Sequence, residues 1–129
     1  MKIIDGTNAV LGRLASYAAK QALFGEEIVI VNCEKVIITG SRQNTIEDLR
    51  DKRTKIGSGQ KGPKISRIPY MIVKRAIRGM LSHRRSRGKE ALARIMCYEG
   101  VPEKFKEAKM IHAGKEKHGK FMHVGELRK

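Results

Sequence analysis

The chain has 129 residues, 40% of them hydrophobic, which suits one domain with a packed core, because folding at this length removes roughly two thirds of the unfolded surface from water. Its 28 Lys and Arg against 13 Asp and Glu leave a net charge of +15 and a pI near 10.2, an excess that points to a polyanionic partner. The absence of an 18-residue apolar run or a charged-then-apolar leader argues for an intracellular protein without a membrane span; Cys33 and Cys97, far apart and in no CxxC pair, read as buried thiols rather than a disulfide framework or zinc ribbon.

Residues 2–5 (KIID) form a short apolar run closed by the turn pair Asp5-Gly6 and read as a first strand. A helix is expected over residues 9–24. Asn8 would be its N-cap, Leu11, Leu14, Ala15, Ala18 and Ala22 recur at the spacing of a buried face, and Gly25 stops it. Residues 28–31 are continuously β-branched, as in a strand covered on both faces, and residues 36–39 repeat that composition after a turn at 32–35. Strand, helix and strand in close succession read as a right-handed βαβ unit with parallel strands, hence an α/β fold.

A second helix is expected over residues 44–53, with Thr45 and Asp48 at capping-box spacing and Ile46 and Leu49 turned inward. Residues 56–66 (IGSGQKGPKIS), with three Gly, one Pro and two Ser, read as a loop whose backbone can approach a ligand closely. Pro69 suits the first turn of a third helix. There Ile72/Val73, Ala76/Ile77 and Met80/Leu81 make one apolar stripe, and Lys74, Arg75 and Arg78 fall off it. Residues 83–89 (HRRSRGK) lead to a helix over 89–94, and residues 95–98 form a last short strand ended by Gly100 and Pro102. The division expected is one α/β domain over 1–108 and an extended basic C-terminal tail over 109–129, where Lys, Gly and His alternate with isolated apolar residues and the chain lies along a partner.

The charge is unevenly shared: residues 1–50 carry six Lys and Arg against six acids, and residues 51–129 carry 22 against seven. Within that second part, residues 52–89 hold 13 Lys and Arg in 38 residues and no acid. One-signed runs repel themselves, so this loop, helix and turn call for an external polyanion, and nucleic acid fits it best. The expected contacts are Lys52, Arg53, Lys55, Lys61, Lys64, Arg67, Lys74, Arg75, Arg78, His83, Arg84, Arg85, Arg87 and Lys89. The segment has one aromatic, Tyr70, which disfavours a membrane surface, and six aromatics in the whole chain are too few for a base-stacking sheet. Contact with the phosphates and 2′-hydroxyls of folded RNA follows.

Two other readings compete: a DNA-binding regulator using the helices over 69–94, and an enzyme holding a phosphate ligand at the first βα turn. In that turn Gly6 and Gly12 are separated by five residues instead of four, and Arg13-Leu14 replace the Lys-Ser/Thr of a phosphate loop, so Gly12 reads instead as a place where helix packs closely on sheet. Gly59-Gln60-Lys61-Gly62 matches a GXXG loop, a pattern with little specificity. His112, His118, His123 and Cys97 match no usual zinc spacing, neither GxSxG nor HExxH occurs, and Asp5, Glu26, Glu27 and Glu34 read as turn, strand-end and surface residues. No catalysis, metal, cofactor or small-molecule substrate is expected.

Four ordered blocks, DGTNAVLGRLAS from Asp5, IVNCEKVIITG from Ile30, KRAIRGMLSHRRSRGKEAL from Lys74 and YEGVP from Tyr98, resemble the universal large-subunit ribosomal protein thirteen family in its archaeal and eukaryotic form. The resemblance implies a three-layer α/β/α fold around a small, mostly parallel four-stranded sheet. It also implies large-subunit ribosomal RNA and neighbouring ribosomal proteins as partners, a place on the cytoplasmic ribosome, and a structural role in assembly and translation without enzymatic activity. Carried over by position, the family's RGMLPH-type block falls on residues 78–83 and its basic turn on residues 84–89, as the RNA-facing surface. Ser82 stands where the family is expected to have proline, which would end the helix firmly.

Overall fold

Strand β1 (Lys2–Asp5) pairs in parallel with β2 (Ile28–Val31), Ile4 opposite Ile30, in a computed structural model that describes residues 1–54, 66–112 and 119–128. The intervening helix α1 (Leu11–Leu23) starts two residues later than its spacing predicts. The cause is a non-local pairing: Ala9 O accepts Ile37 N–H at 2.8 Å and Val10 bridges Ile37, so both residues are drawn out of the helix towards β3 (Ile37–Thr39). Asn8 is therefore not the N-cap. It has left-handed backbone with φ 58°, which asparagine tolerates better than most residues, and Val10 holds the cap position without a side-chain hydrogen bond. Gly25, at φ +94°, does end the helix region as expected.

Parallel pairing of β4 (Ile95–Cys97) with β2 and of β5 (Ile111–His112) with β1 completes a four-stranded sheet in the order β4-β2-β1-β5, so the α/β expectation holds. Strand alternation sorts the apolar side chains to two sides. Ile4, Ile28, Ile30, Ile95 and Cys97 meet α1, α3 (Pro69–Gly79) and α4 (Ser86–Ala93), while Ile3, Val29 and Val31 meet Phe105 with Tyr98, Val101, Ala108 and Met110 around it. The third layer is thus thin, built on a 3₁₀ turn at Glu103–Phe105. Helix α1 meets the sheet through Leu14 and four alanines, Ala15, Ala18, Ala19 and Ala22, whose small side chains let the helix lie close.

Strand β3 leaves this sheet and pairs antiparallel with β6 (Phe121–His123), Ile38 opposite Met122. Helix α2 (Arg42–Thr54) starts before the predicted cap: Thr45 lies inside it, and both its N–H and its hydroxyl donate to Ser41 O, at 3.1 and 3.0 Å. No α2 residue is buried, and Ile46 and Leu49 are only half-buried. On α3, Val73, Ile77 and Leu81 are buried as the stripe requires, but the helix ends at Gly79, and Met80, its cap, stays 47% exposed.

From residue 109 on, the described residues depart from an extended tail. β5 adds a strand to the sheet, Met122 and Val124 are fully buried, and Leu127 is nearly so. Their apolar side chains are isolated in sequence because each packs against a different part of the domain, which leaves no periodicity to read. Residues 113–118 and Lys129 lie outside the described residues.

The first βα turn is occupied by its own bonds. Gly6 N–H donates to Val31 O, Thr7 N–H and hydroxyl to Asp5 Oδ1, Asn8 N–H to Lys35 O and Ala9 N–H to Gly6 O, which leaves these amides no lone donor for a phosphate ligand. The glycine that packs closely is Gly6, not Gly12: a Cβ on Gly6 would meet Val36 Cγ2 at 2.8 Å and Val31 O at 3.1 Å, whereas one on Gly12 would meet nothing within 4 Å. Gly6→Ala is expected to lower stability by about 1–3 kcal/mol through overpacking, and Gly12→Ala to raise it by up to about 1 kcal/mol by restricting the unfolded chain, both read from denaturant midpoints.

Asp5 closes the turn. Burial alone would raise the pKa of its carboxyl, but hydrogen bonds from Asn32 Nδ2 at 3.0 Å and from Thr7, with His112 Nδ1 facing Oδ2 at 3.2 Å, outweigh it and lower the value below 3.8. A folded pKa below the unfolded one contributes stability above about pH 4, and the contribution is lost as pH falls through the folded value. Asp5→Asn should therefore flatten the fall in stability below about pH 4, as followed by urea unfolding at stepped pH.

Candidate nucleic-acid interface

The basic residues between 52 and 89 are separated by the fold into three groups. Lys52 and Arg53 lie exposed in the last turn of α2, where cations oppose the helix dipole's negative end. Arg75 and Arg78, three residues apart, share the exposed face of α3. Arg84, Arg85, Arg87 and Lys89 are exposed around the start of α4, and His83 is half-buried beside them. Among the described residues no ion pair or hydrogen bond engages the guanidinium groups of Arg75, Arg78, Arg84, Arg85 and Arg87, so their donors are available to a ligand. Arg67 is exposed just before α3, and Lys55, Lys61 and Lys64 lie outside the described residues.

Backbone packing sets the position of the arginine turn. After α3 ends, buried Leu81 holds the chain to the core, His83 N–H donates to Leu81 O at 2.8 Å, and Arg85 N–H donates to Ser82 O at 2.9 Å. The turn is pressed onto Gly88 in the first turn of α4, where a Cβ would lie 2.0 Å from Ser82 O and 2.9 Å from His83 N. Only glycine leaves room for that approach. Ser82 does not set the end of α3, which lies three positions earlier at Gly79, and instead supplies the carbonyl that closes the turn. Helix α4 begins without a side-chain cap and without an acid in its first turn, so its N–H groups add positive potential beside the arginines.

Lys74 serves the fold. Its ammonium donates to Ile95 O at 2.9 Å and covers a carbonyl of edge strand β4. Arg94 acts likewise, with Nη1 donating to Ala22 O at 2.9 Å near the end of α1. Two arginines outside the expected set lie beside it: Arg42 and Arg50 of α2 line a small cleft with Arg53 and Arg67, and Arg42 pairs with Glu126 at 3.6 Å. Their signal was the spacing of Arg42, Arg50 and Arg53 along one helix side, hidden by acids interleaved in the sequence. A wider groove of about 470 Å³ brings Lys52 of α2 and Arg75 of α3 to one mouth, over Leu11, Ile38, Ile72 and Leu127.

Elsewhere the side chains considered for metal that lie among the described residues are separately engaged, His112 with Asp5, His123 with Asn8 Oδ1 at 3.4 Å and Cys97 beside Cys33, and His118 lies outside the described residues. Among the described residues no three His, Cys, Asp or Glu converge, and no helix is long and apolar enough to cross a membrane.

A family model described as Ribosomal protein L13 matches residues 1–104. The large ribosomal subunit protein uL13 of Methanosarcina barkeri is 47% identical over 112 residues, covering 86% of this chain and 79% of its own length. That of Thermoplasma volcanium is 46% identical over 110 residues, 85% of this chain and 80% of its own, and that of Methanopyrus kandleri 46% over 106 residues, 82% and 66%. All the cations of the arginine turn fall inside the family match.

Stability measurements separate the residues that build this surface from those that display charge. Gly88→Ala should cost about 1–3 kcal/mol, because the carbonyl it strikes is backbone and cannot swing aside. Lys74→Met should cost about 1 kcal/mol through the exposed strand carbonyl. Arg84→Ala should stay within about 0.5 kcal/mol of the parent, and a larger loss would mean that Arg84 has a structural partner.

Proposed function

This chain belongs to the ribosomal protein L13 family, and from that premise we propose that it is a structural constituent of the large ribosomal subunit that binds and stabilises folded ribosomal RNA through its arginine turn and the exposed face of α3. The observation that carries the reading is the group of five exposed arginines, Arg75, Arg78, Arg84, Arg85 and Arg87, without partners among the described residues and held by buried Ile77 and Leu81 and by the Gly88 contact. Arginine presents a planar fork of donors that meets phosphate in two parallel hydrogen bonds, and each phosphate neutralised releases condensed counterions. Binding of this kind needs rigid spacing more than chemistry. The domain supplies spacing, and its role is support of subunit assembly and translation rather than catalysis.

Lys52, Arg53, Arg67, His83 and Lys89 extend the same surface, with Arg42 and Arg50 at its flank, and neighbouring ribosomal proteins complete the surroundings in the subunit. Lys74 is left out, since its ammonium is already bonded.

Binding of the untagged protein to large-subunit ribosomal RNA tests this. With roughly six to ten phosphates engaged, affinity should fall by about 10³ to 10⁵ between 50 and 200 mM salt, and an affinity nearly independent of salt would sink the mechanism. Arg78→Ala and Arg84→Ala should each weaken binding about tenfold with circular dichroism unchanged, whereas Ile77→Asp should lose both binding and fold by burying an unpaired charge. Equal affinity for duplex DNA of the same length would favour the regulator reading instead.

A further inference from the structure

The two cysteines have no part in the RNA surface, yet the fold brings them together. Ile30 of β2 and Cys97 of β4 are opposite each other in the parallel register. Beyond β2 the chain turns at Asn32, with φ 56°, and Cys33 N–H donates to Tyr98 O at 3.1 Å while Tyr98 N–H donates to Ile30 O at 2.8 Å. The Cys33 thiol points to that same Ile30 carbonyl, at 3.7 Å. Cys33 is thus tied to the end of the strand that carries Cys97, and both side chains enter the core on the helical side of the sheet. Neighbouring strands lie about 4.8 Å apart, and a disulfide spans Cα separations of about 4.4–6.8 Å, so a turn bonded to the adjoining strand brings the two cysteines to one place in the core on the scale that a disulfide bridges.

We propose that Cys33 and Cys97 are a dithiol that closes to a disulfide within the folded protein when a hydroperoxide reaches it. The two groups differ in the way the reaction requires. The nearness of the two sulfurs and burial push the Cys33 thiol far above the ordinary cysteine range, while the neighbouring Cys33 thiol, opposed by burial and aided by the Lys74 ammonium, lowers Cys97. Cys97 also keeps 8% exposure where Cys33 has none. Cys97 is therefore the nucleophile and Cys33 the resolving thiol.

In the first step the Cys97 thiolate attacks one peroxide oxygen: an S–O bond forms, the O–O bond breaks, and the departing oxygen takes up the proton that Cys97 released. In the second, Cys33 sulfur attacks the sulfenic sulfur, the S–S bond forms, the S–O bond breaks, and the hydroxyl leaves as water with the Cys33 proton. Two thiols are oxidised by two electrons, and one hydroperoxide is reduced to an alcohol and water. The loop closed spans positions 33 to 97 and contains the whole of residues 52–89. Oxidation would bind the RNA-facing half of the chain covalently to the sheet and restrict its unfolded state.

The test treats the untagged full-length protein, freed of reductant, with hydrogen peroxide, then alkylates it under denaturing conditions for intact mass and peptide mapping. The expected product has lost two hydrogens, yields a peptide pair joining Cys33 to Cys97, melts several degrees higher, and returns to the starting mass with dithiothreitol. Two alkylatable thiols after treatment, sulfinic acids at either position, or disulfides between chains would overturn the proposal. In a Cys33→Ala chain Cys97 should be trapped as a sulfenic acid, and in a Cys97→Ala chain Cys33 should stay unreacted; the reverse pattern would overturn the assignment of roles. Mapping of the parent protein decides the pairing if either variant fails to fold.

Discussion

Burial of β2 on both faces is the constraint around which the rest is arranged. All four of its residues are apolar and none exceeds 4% exposure, so the strand needs cover on two sides. One cover is the helical layer, where alanines bring α1 down onto the sheet and leave room at its flanks for α3 and α4. The other is the connection from β4 to β5. These strands lie on opposite edges, so the chain between them must cross the sheet, and it does so over the face opposite the helices, where Phe105, Val101 and Met110 close on Val29 and Val31. Strand order and burial are thus one requirement.

A domain with its apolar residues so committed can display charge at low cost to its fold. Repulsion among exposed cations is screened beyond about 8 Å at physiological salt, and a few anchors fix where they point. Ile77 and Leu81 hold α3 down, and the approach of Ser82 O to Gly88 sets the turn at an angle that no side chain at position 88 would permit. Two of the cations are consumed in the scaffold. Lys74 covers Ile95 O, an edge-strand carbonyl that would otherwise require water, and Arg94 adds a second donor to Ala22 O, which also accepts Gly25 N–H at 3.0 Å. Charge count along the chain therefore overstates the charge left free, and the engagement of Lys74 has a plain cause in edge-strand chemistry.

Much of the domain was legible without coordinates. Continuous β-branched residues marked β2, period-four apolar pairs marked α3, and a one-signed run of Lys and Arg marked the surface. Each is a property of neighbours in the chain. Errors arose where a distant segment intervened. Asn8 has the chemistry of an N-cap, but β3 draws Ala9 and Val10 into pairing and moves the helix start past it. The exception is local: Thr45 and Asp48 have the spacing of a capping box, but the helix begins at Arg42 and Thr45 bonds back to Ser41 O within it. Gly12 and Gly6 look alike on paper, and only the proximity of Val36 and Val31 distinguishes them.

Periodicity and charge are carried by residues a few positions apart, so the βαβ core, the amphipathic α3 and the basic half of the chain follow from the amino acids alone. Contacts that depend on which segments meet do not. The docking of Met122, Val124 and Leu127, the role of Gly88 and the bond from Arg94 to Ala22, 72 positions away, each need a partner that only the folded chain brings near. The physical reason is that close packing is short-ranged in space and unrestricted in sequence, so a side chain's role there is decided by its neighbour and not by its own chemistry.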